Sequence, residues 1–275
     1  MSELEKQNGD AGQKLSPRVQ GYVQQLCRDP RYLLIGKIER FGRELISFVE
    51  GCTVISATGE VRGQALINAE YEVRGRPDGE RPYEAESLAD YYLSARGRKS
   101  LPLGDGDLRP LREESWQYYV RRNFAFLLEE YGRARDDAEH NLAIWDLVEQ
   151  SEASEEAKWT YLRWWPWIER DRAMAQALWS LKQGRAEDAA TELYRAQRSI
   201  EQYGERYGVS YAREAGEGKS LCAQMREHIL GLVEILREEG LPVSMEVQLD
   251  EAAARGDEEE VERLRREMIR RAVGD

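Results

Sequence analysis

Apolar residues recur every three or four positions along most of this chain, the spacing of one face of an α-helix, and predict a mainly α protein. From Gly36 to Glu50 the set Ile38, Phe41, Leu45, Phe48 and Val49 has helical spacing and predicts an amphipathic helix. The texture then changes. Thr53 to Arg62 predicts a strand entering a turn at Thr58 and Gly59, and Ala65, Ile67, Ala69, Tyr71 and Val73 alternate with mostly polar residues as in a half-buried strand. A short helix around Leu88 to Leu93 stands between two Gly/Pro-rich breaks, residues 74–82 and 101–110.

Beyond Pro110 the pattern is helical almost to the end. Gly132-Arg133-Ala134 follows an apolar run containing Phe124, Leu127 and Leu128, and Gly184-Arg185-Ala186 follows one containing Ala177, Leu178 and Leu181. The predicted unit is helix, Gly-Arg-Ala turn, helix. It resembles the tetratricopeptide class, which implies a glycine ending the first helix and an alanine-rich second one: here Gly184, Ala190 and Ala196, with Leu193 and Ile200 on the buried face. Gly132 and Gly184 stand too far apart for contiguous repeats of about 34 residues, so the expectation is a stack of helical hairpins, each burying its stripe on the next. A further helix, Lys219 to Glu239, carries Leu221, Met225, Ile229, Leu232 and Leu236 and stops at Gly240 and Pro242.

The last thirty residues predict a self-contained hairpin. Met245, Leu249 and Ala252 or Ala253 share a face of its first helix, Gly256 interrupts it, and Asp257 with Glu260 forms a capping box. The second helix carries Val261, Leu264, Met268 and Ala272 in one stripe, with acidic residues at its start and arginines after them, the order that complements the helix dipole. Leu249, Ala253, Asp257, Glu259, Leu264 and Arg265 resemble the UVR family, the motif shared by the UvrB and UvrC excision-repair subunits. Glu258, Glu262 and Arg266 depart from its pattern. The resemblance implies docking onto a matching hairpin, through Leu249, Ala253, Val261, Leu264, Arg265 and Met268, of a protein partner or a second copy.

The expected organisation is a disordered start over 1–15, a small α+β module over 16–110, a helical-hairpin domain over 111–240 and the UVR-like hairpin over 245–275. Composition limits the function classes. At 41% hydrophobic the chain of 275 residues can build a core, and a net charge of −12 works against direct nucleic-acid binding. No run approaches a membrane span and the polar N-terminus carries no leader pattern. Three separated cysteines, Cys27, Cys52 and Cys222, offer no disulfide framework, and the expected setting is the cytoplasm.

Candidate chemistry is sparse. Gly216 to Ser220 resembles the end of a phosphate loop, but Arg213 stands where its first glycine belongs. His140, expected on a helix flank near Asp136 and Asp137, and His228, expected beside Glu227 in solvent, have neither metal-ligand nor triad spacing. Asp105, Asp107, Asp136 and Asp137 lack the rest of a calcium loop. No catalytic residues, metal ligands or cofactors are therefore assigned.

The richest segment is aromatic. Trp159, Arg163, Trp164, Trp165 and Trp167 surround Pro166, a residue suited to a helix start, and offer either core filling or an exposed groove. The leading expectation is a non-enzymatic adaptor or scaffold that docks through its C-terminal hairpin. The alternatives are an enzyme or small-ligand-binding protein with its site in the N-terminal module or the aromatic groove, and an accessory docking factor in excision repair or a stress response.

Overall fold

The computed structural model describes residues 14–40, 42–55, 61–96, 103–208, 210 and 220–273. The protein is mainly helical, with a three-stranded antiparallel sheet near its N-terminus. The expected turn at Thr58 and Gly59, the Gly216 to Lys219 segment and most of the expected disordered start lie outside the described residues. The chain forms two compact units, Val23–Arg172, and Met1–Tyr22 with Ala173–Asp275. Helices α1 (Pro17–Cys27) and α6 (Trp165–Lys182) contribute residues to both.

In the unit Val23–Arg172, β1 (Tyr32–Arg40), β2 (Arg43–Ile55) and β3 (Val61–Glu72) form a meander in the order β1-β2-β3. The amphipathic helix expected from Gly36 to Glu50 is thus a β-hairpin. Gly42, at φ 72°, supplies the left-handed backbone that a two-residue hairpin loop needs, and Arg40 pairs with Arg43 across it. Ile46 and Phe48 then point to the same face, where they meet Val73, Val120 and Phe124. Phe48 and Tyr32 lie 4.7 and 5.0 Å from Phe124, centroid to centroid. The helical spacing of Ile38, Leu45, Phe48 and Val49 is overridden because Ile46 and Phe48, two apart on β2, fit this aromatic core. Phe41 lies outside the described residues.

The sheet is followed by α2 (Leu88–Arg96), α3 (Asp105–Leu127), α4 (Tyr131–Glu149) and α5 (Glu155–Leu162). The expected break at 101–110 ends early, since α3 starts at Asp105 and runs unbroken through Pro110 and the expected module border. The aspartates of that segment organise helix ends. Asp107 accepts from the Gly104 amide (2.9 Å), while Asp105 accepts from the amide (2.7 Å) and hydroxyl (3.0 Å) of Ser154.

The two Gly-Arg-Ala segments are not structural equivalents. Gly132 is the second residue of α4 and the left-handed residue before it is Glu129 (φ 58°), whereas Gly184 (φ 73°) itself occupies the loop between α6 and α7 (Ala186–Arg206). In the second unit α7 and α8 (Leu221–Glu238) bury facing stripes, Leu193, Ala196 and Ile200 on one and Met225, Ile229 and Leu232 on the other. The hairpin α9 (Met245–Arg255) and α10 (Glu258–Val273) follows as the spacing predicts, with Asp257 accepting from the Glu260 amide at 3.1 Å.

His140 lies on α4 one turn after Asp136 and Asp137. Its Nε2 bonds Glu114 Oε1 at 3.0 Å and its ring stacks on Tyr118 at 3.7 Å, while Asp137 pairs with Arg121. Fully buried Glu114 also accepts from the amides of Leu88 (2.7 Å) and Ala89 (3.1 Å), so one carboxylate on α3 holds the start of α2 and a side chain of α4. Burial pushes its carboxyl up, but the bonds from His140, Leu88 and Ala89 outweigh this and leave it below the usual carboxylate range. A group depressed on folding contributes stability above its unfolded pKa, and loses it as pH falls through the folded value. Glu114→Gln is therefore expected to lower stability by roughly 1–3 kcal/mol at pH 7, and its gap to the native chain should narrow below about pH 4. Urea denaturation of both chains across pH measures this, and a gap that widens on acidification contradicts it.

Candidate functional site

One face of α3 carries Arg109, Arg112, Trp116, Tyr119 and Arg122, at steps of three and four that align side chains along a helix. At 1.5 Å per residue this stripe is about 20 Å long. It forms one wall of a cleft of about 1040 Å³ in the unit Val23–Arg172. Thr160, Tyr161, Trp164, Trp167 and Ile168 form the opposite wall, and Asn141 and Trp145, one turn apart on α4, add to the lining.

The second wall exists because the chain breaks between α5 and α6. Pro166, second in α6, suits a helix start because its missing amide donor has no partner there in any case. The break turns Trp164 and Trp167 into the cleft. Trp159, Arg163 and Trp165, expected with them as groove residues, are half-buried and do not line it; Trp165 instead packs against Trp145 at 6.2 Å. Trp164 is 41% exposed and Trp116 49%, so two indoles remain available.

Four rings run in succession through this region. Trp116 and Tyr119 are 5.0 Å apart, Tyr119 and Trp167 6.4 Å, and Trp167 and Trp164 6.4 Å. Each has a guanidinium near its ring: Arg31 at 5.5 Å from Trp116, Arg122 at 5.2 Å from Tyr119, Arg170 at 4.8 Å from Trp167 and Arg163 at 4.7 Å from Trp164. These are cation–π distances.

The polar lining is incompletely satisfied. Arg122, 1% exposed, has Nε 2.8 Å from Asp171 Oδ2 in an ion pair lacking hydrogen-bond alignment, and Asp171 also binds Arg170. Asn141 Oδ1, Trp167 Nε1, Gln117 Oε1 and Arg122 Nη1 are buried and make no hydrogen bond among the described residues. Leaving such a group unpaired costs roughly 1–3 kcal/mol. The lining holds three arginines against one glutamate, Glu113, in a chain of net charge −12.

Neither histidine lines the cleft, and Glu113 is exposed and paired with Arg109 at 3.1 Å. Burial pushes the phenols of Tyr119 and Tyr161 up, so they stay protonated. Among the described residues no cluster of His, Cys, Asp and Glu could hold a metal ion, and no helix is long and apolar enough to cross a membrane. Burial likewise pushes the Cys27 thiol up to about 12, far from a reactive thiolate.

The C-terminal residues expected to dock a partner differ in exposure. Leu264 is buried, Leu249, Val261 and Met268 are half-buried, and Ala253 and Arg265 are exposed. The buried alanine is Ala252. Within its unit α9 is tied to α7 by Arg195 to Glu246 and by Arg198 to Asp250 at 2.8 Å.

Of the residues lining the cleft, Trp164 and Trp167 are expected from the sequence, whereas Trp116, Arg112, Arg122 and Asn141 are not. The repeat of cation and ring along α3 was the signal available for the first three. Compared with models of protein families, with characterised proteins and with solved structures, the chain matches none. The two tryptophan environments make opposite predictions. Trp164→Ala should change unfolding free energy by less than about 1 kcal/mol, and Trp145→Ala, 8% exposed, should cost about 3–5 kcal/mol. Chemical denaturation followed by circular dichroism checks both.

Proposed function

We propose that this protein is a non-catalytic binding protein that holds a small planar ligand in the cleft between α3, α4 and the α5–α6 junction. The observation that carries this reading is the coincidence, in one cleft, of two exposed indoles and several buried polar atoms that lack partners. Sites for small molecules combine apolar and aromatic lining with a few convergent polar groups, in volumes up to about 1000 Å³. A ligand stacked there gains ring contact from the tryptophans and supplies partners to atoms such as Asn141 Oδ1. Calorimetric titration with neutral planar probes, 2-naphthol and caffeine, tests it. Binding should weaken about tenfold in Trp116→Ala and in Trp164→Ala, with thermal melting unchanged. Failure of the native chain to bind any planar aromatic probe, these two or an anionic one, would remove the proposal.

A second reading concerns the C-terminal hairpin as a UVR-like docking element on a body of helical hairpins, which makes the protein an adaptor. What favours it is that α10 leaves Ile269 63% exposed beside the exposed Arg265 and Arg266. In the full-length chain Ile269→Glu should then abolish capture of at least one partner without changing circular dichroism. An identical set of captured proteins would rule this docking face out.

A further inference from the structure

The lining of the cleft also says what kind of ligand fits. A cationic ligand is disfavoured, because each ring of the succession Trp116, Tyr119, Trp167 and Trp164 already has a guanidinium within 5.5 Å and the lining carries three arginines. Like charge in a partly desolvated site is repulsive. A plain hydrocarbon ring is also a poor match. It would leave Asn141 Oδ1 and Gln117 Oε1 without a donor and Trp167 Nε1 without an acceptor, at the cost those atoms already carry. A heterocycle with both donors and acceptors at its edge supplies both.

The mouth of the cleft adds the charge. Arg112 is exposed and makes no ion pair among the described residues, and Arg109 lies one turn before it. Trp116 stands one turn further along the same face, about 6 Å at 1.5 Å per residue, a separation that a base and its phosphate span through a ribose. A long nucleic acid is disfavoured by the net charge of −12, which opposes the counterion-release term that drives such binding.

We propose that the ligand is a heteroaromatic anion of the nucleotide class, its ring against Trp116, Tyr119 and Trp167 and its phosphate at Arg112. The proposal rests on reading the cleft as a binding site. Its polar edge reaches Asn141 and Gln117, and Arg122 contributes positive charge from the wall.

Calorimetry on the full chain with the four nucleoside 5′-monophosphates, their nucleosides and inorganic phosphate tests it. At least one monophosphate should bind about tenfold more tightly than its nucleoside, and Arg112→Gln, an exposed substitution, should erase that difference, as should half-molar salt. Equal binding of nucleotide and nucleoside, or a difference that survives Arg112→Gln, overturns the phosphate assignment. Inorganic phosphate binding as tightly as the nucleotides overturns the ring assignment. If no nucleotide or nucleoside binds while 2-naphthol or caffeine does, the nucleotide class is wrong and the cleft reading stands; if none of these probes binds, both fall.

Discussion

Arg121 is the side chain on which the sheet-bearing unit depends. From the interior of α3 it makes a two-pronged pair with Asp137 of α4, at 2.9 and 2.6 Å, and its remaining nitrogen donates to the carbonyls of Glu72 and Gly75 at 2.8 and 2.7 Å. It thus joins two helices to the end of β3 where the chain leaves the sheet. Removing one partner of such a buried pair strands the other without solvent, typically at about 3–5 kcal/mol. The planar guanidinium makes the arrangement directional as well as strong.

That anchoring orients α3, and α3 orients the cleft. Arg121 and Arg122 are neighbours in sequence but point to different sides of the helix, one to Asp137 and the end of β3, the other to Asp171 and the cleft wall. Glu114 fixes the same helix from a third direction through α2 and His140. With the backbone of α3 held at these points, Arg112, Trp116 and Tyr119 line the cleft from one face of a fixed helix.

The chemistry of the cleft differs from that of the chain as a whole. An acidic protein has placed arginines around its aromatic rings, and the one buried aspartate beside them, Asp171, is shared by two guanidiniums. Sharing one carboxylate leaves Arg122 with partial compensation in a medium where charge interactions are strong. The unsatisfied oxygens of Asn141 and Gln117 belong to the same region. Such departures from full pairing are uncommon among buried groups.

Helix periodicity, the capped C-terminal hairpin, the stop at Gly240 and the helix start at Pro166 were all determined by local sequence, because each depends on interactions within a few residues along the chain. The segment from Gly36 to Glu50 was not, since its apolar residues satisfy helical and strand spacing together and Phe124 on α3 decides between them. The Gly-Arg-Ala repeat misled for a related reason: the left-handed backbone position fell on Glu129 in one hairpin and on Gly184 in the other. Trp159, Trp164, Trp165 and Trp167 were legible only as either core filling or an exposed groove, and could not be told apart until the α5–α6 break set their directions. Arg122 and Asn141 were invisible as site residues because nothing nearby in sequence marks a side chain as buried and unpaired. Only tertiary packing brings α3, α4 and the α5–α6 junction together, and that convergence creates the cleft.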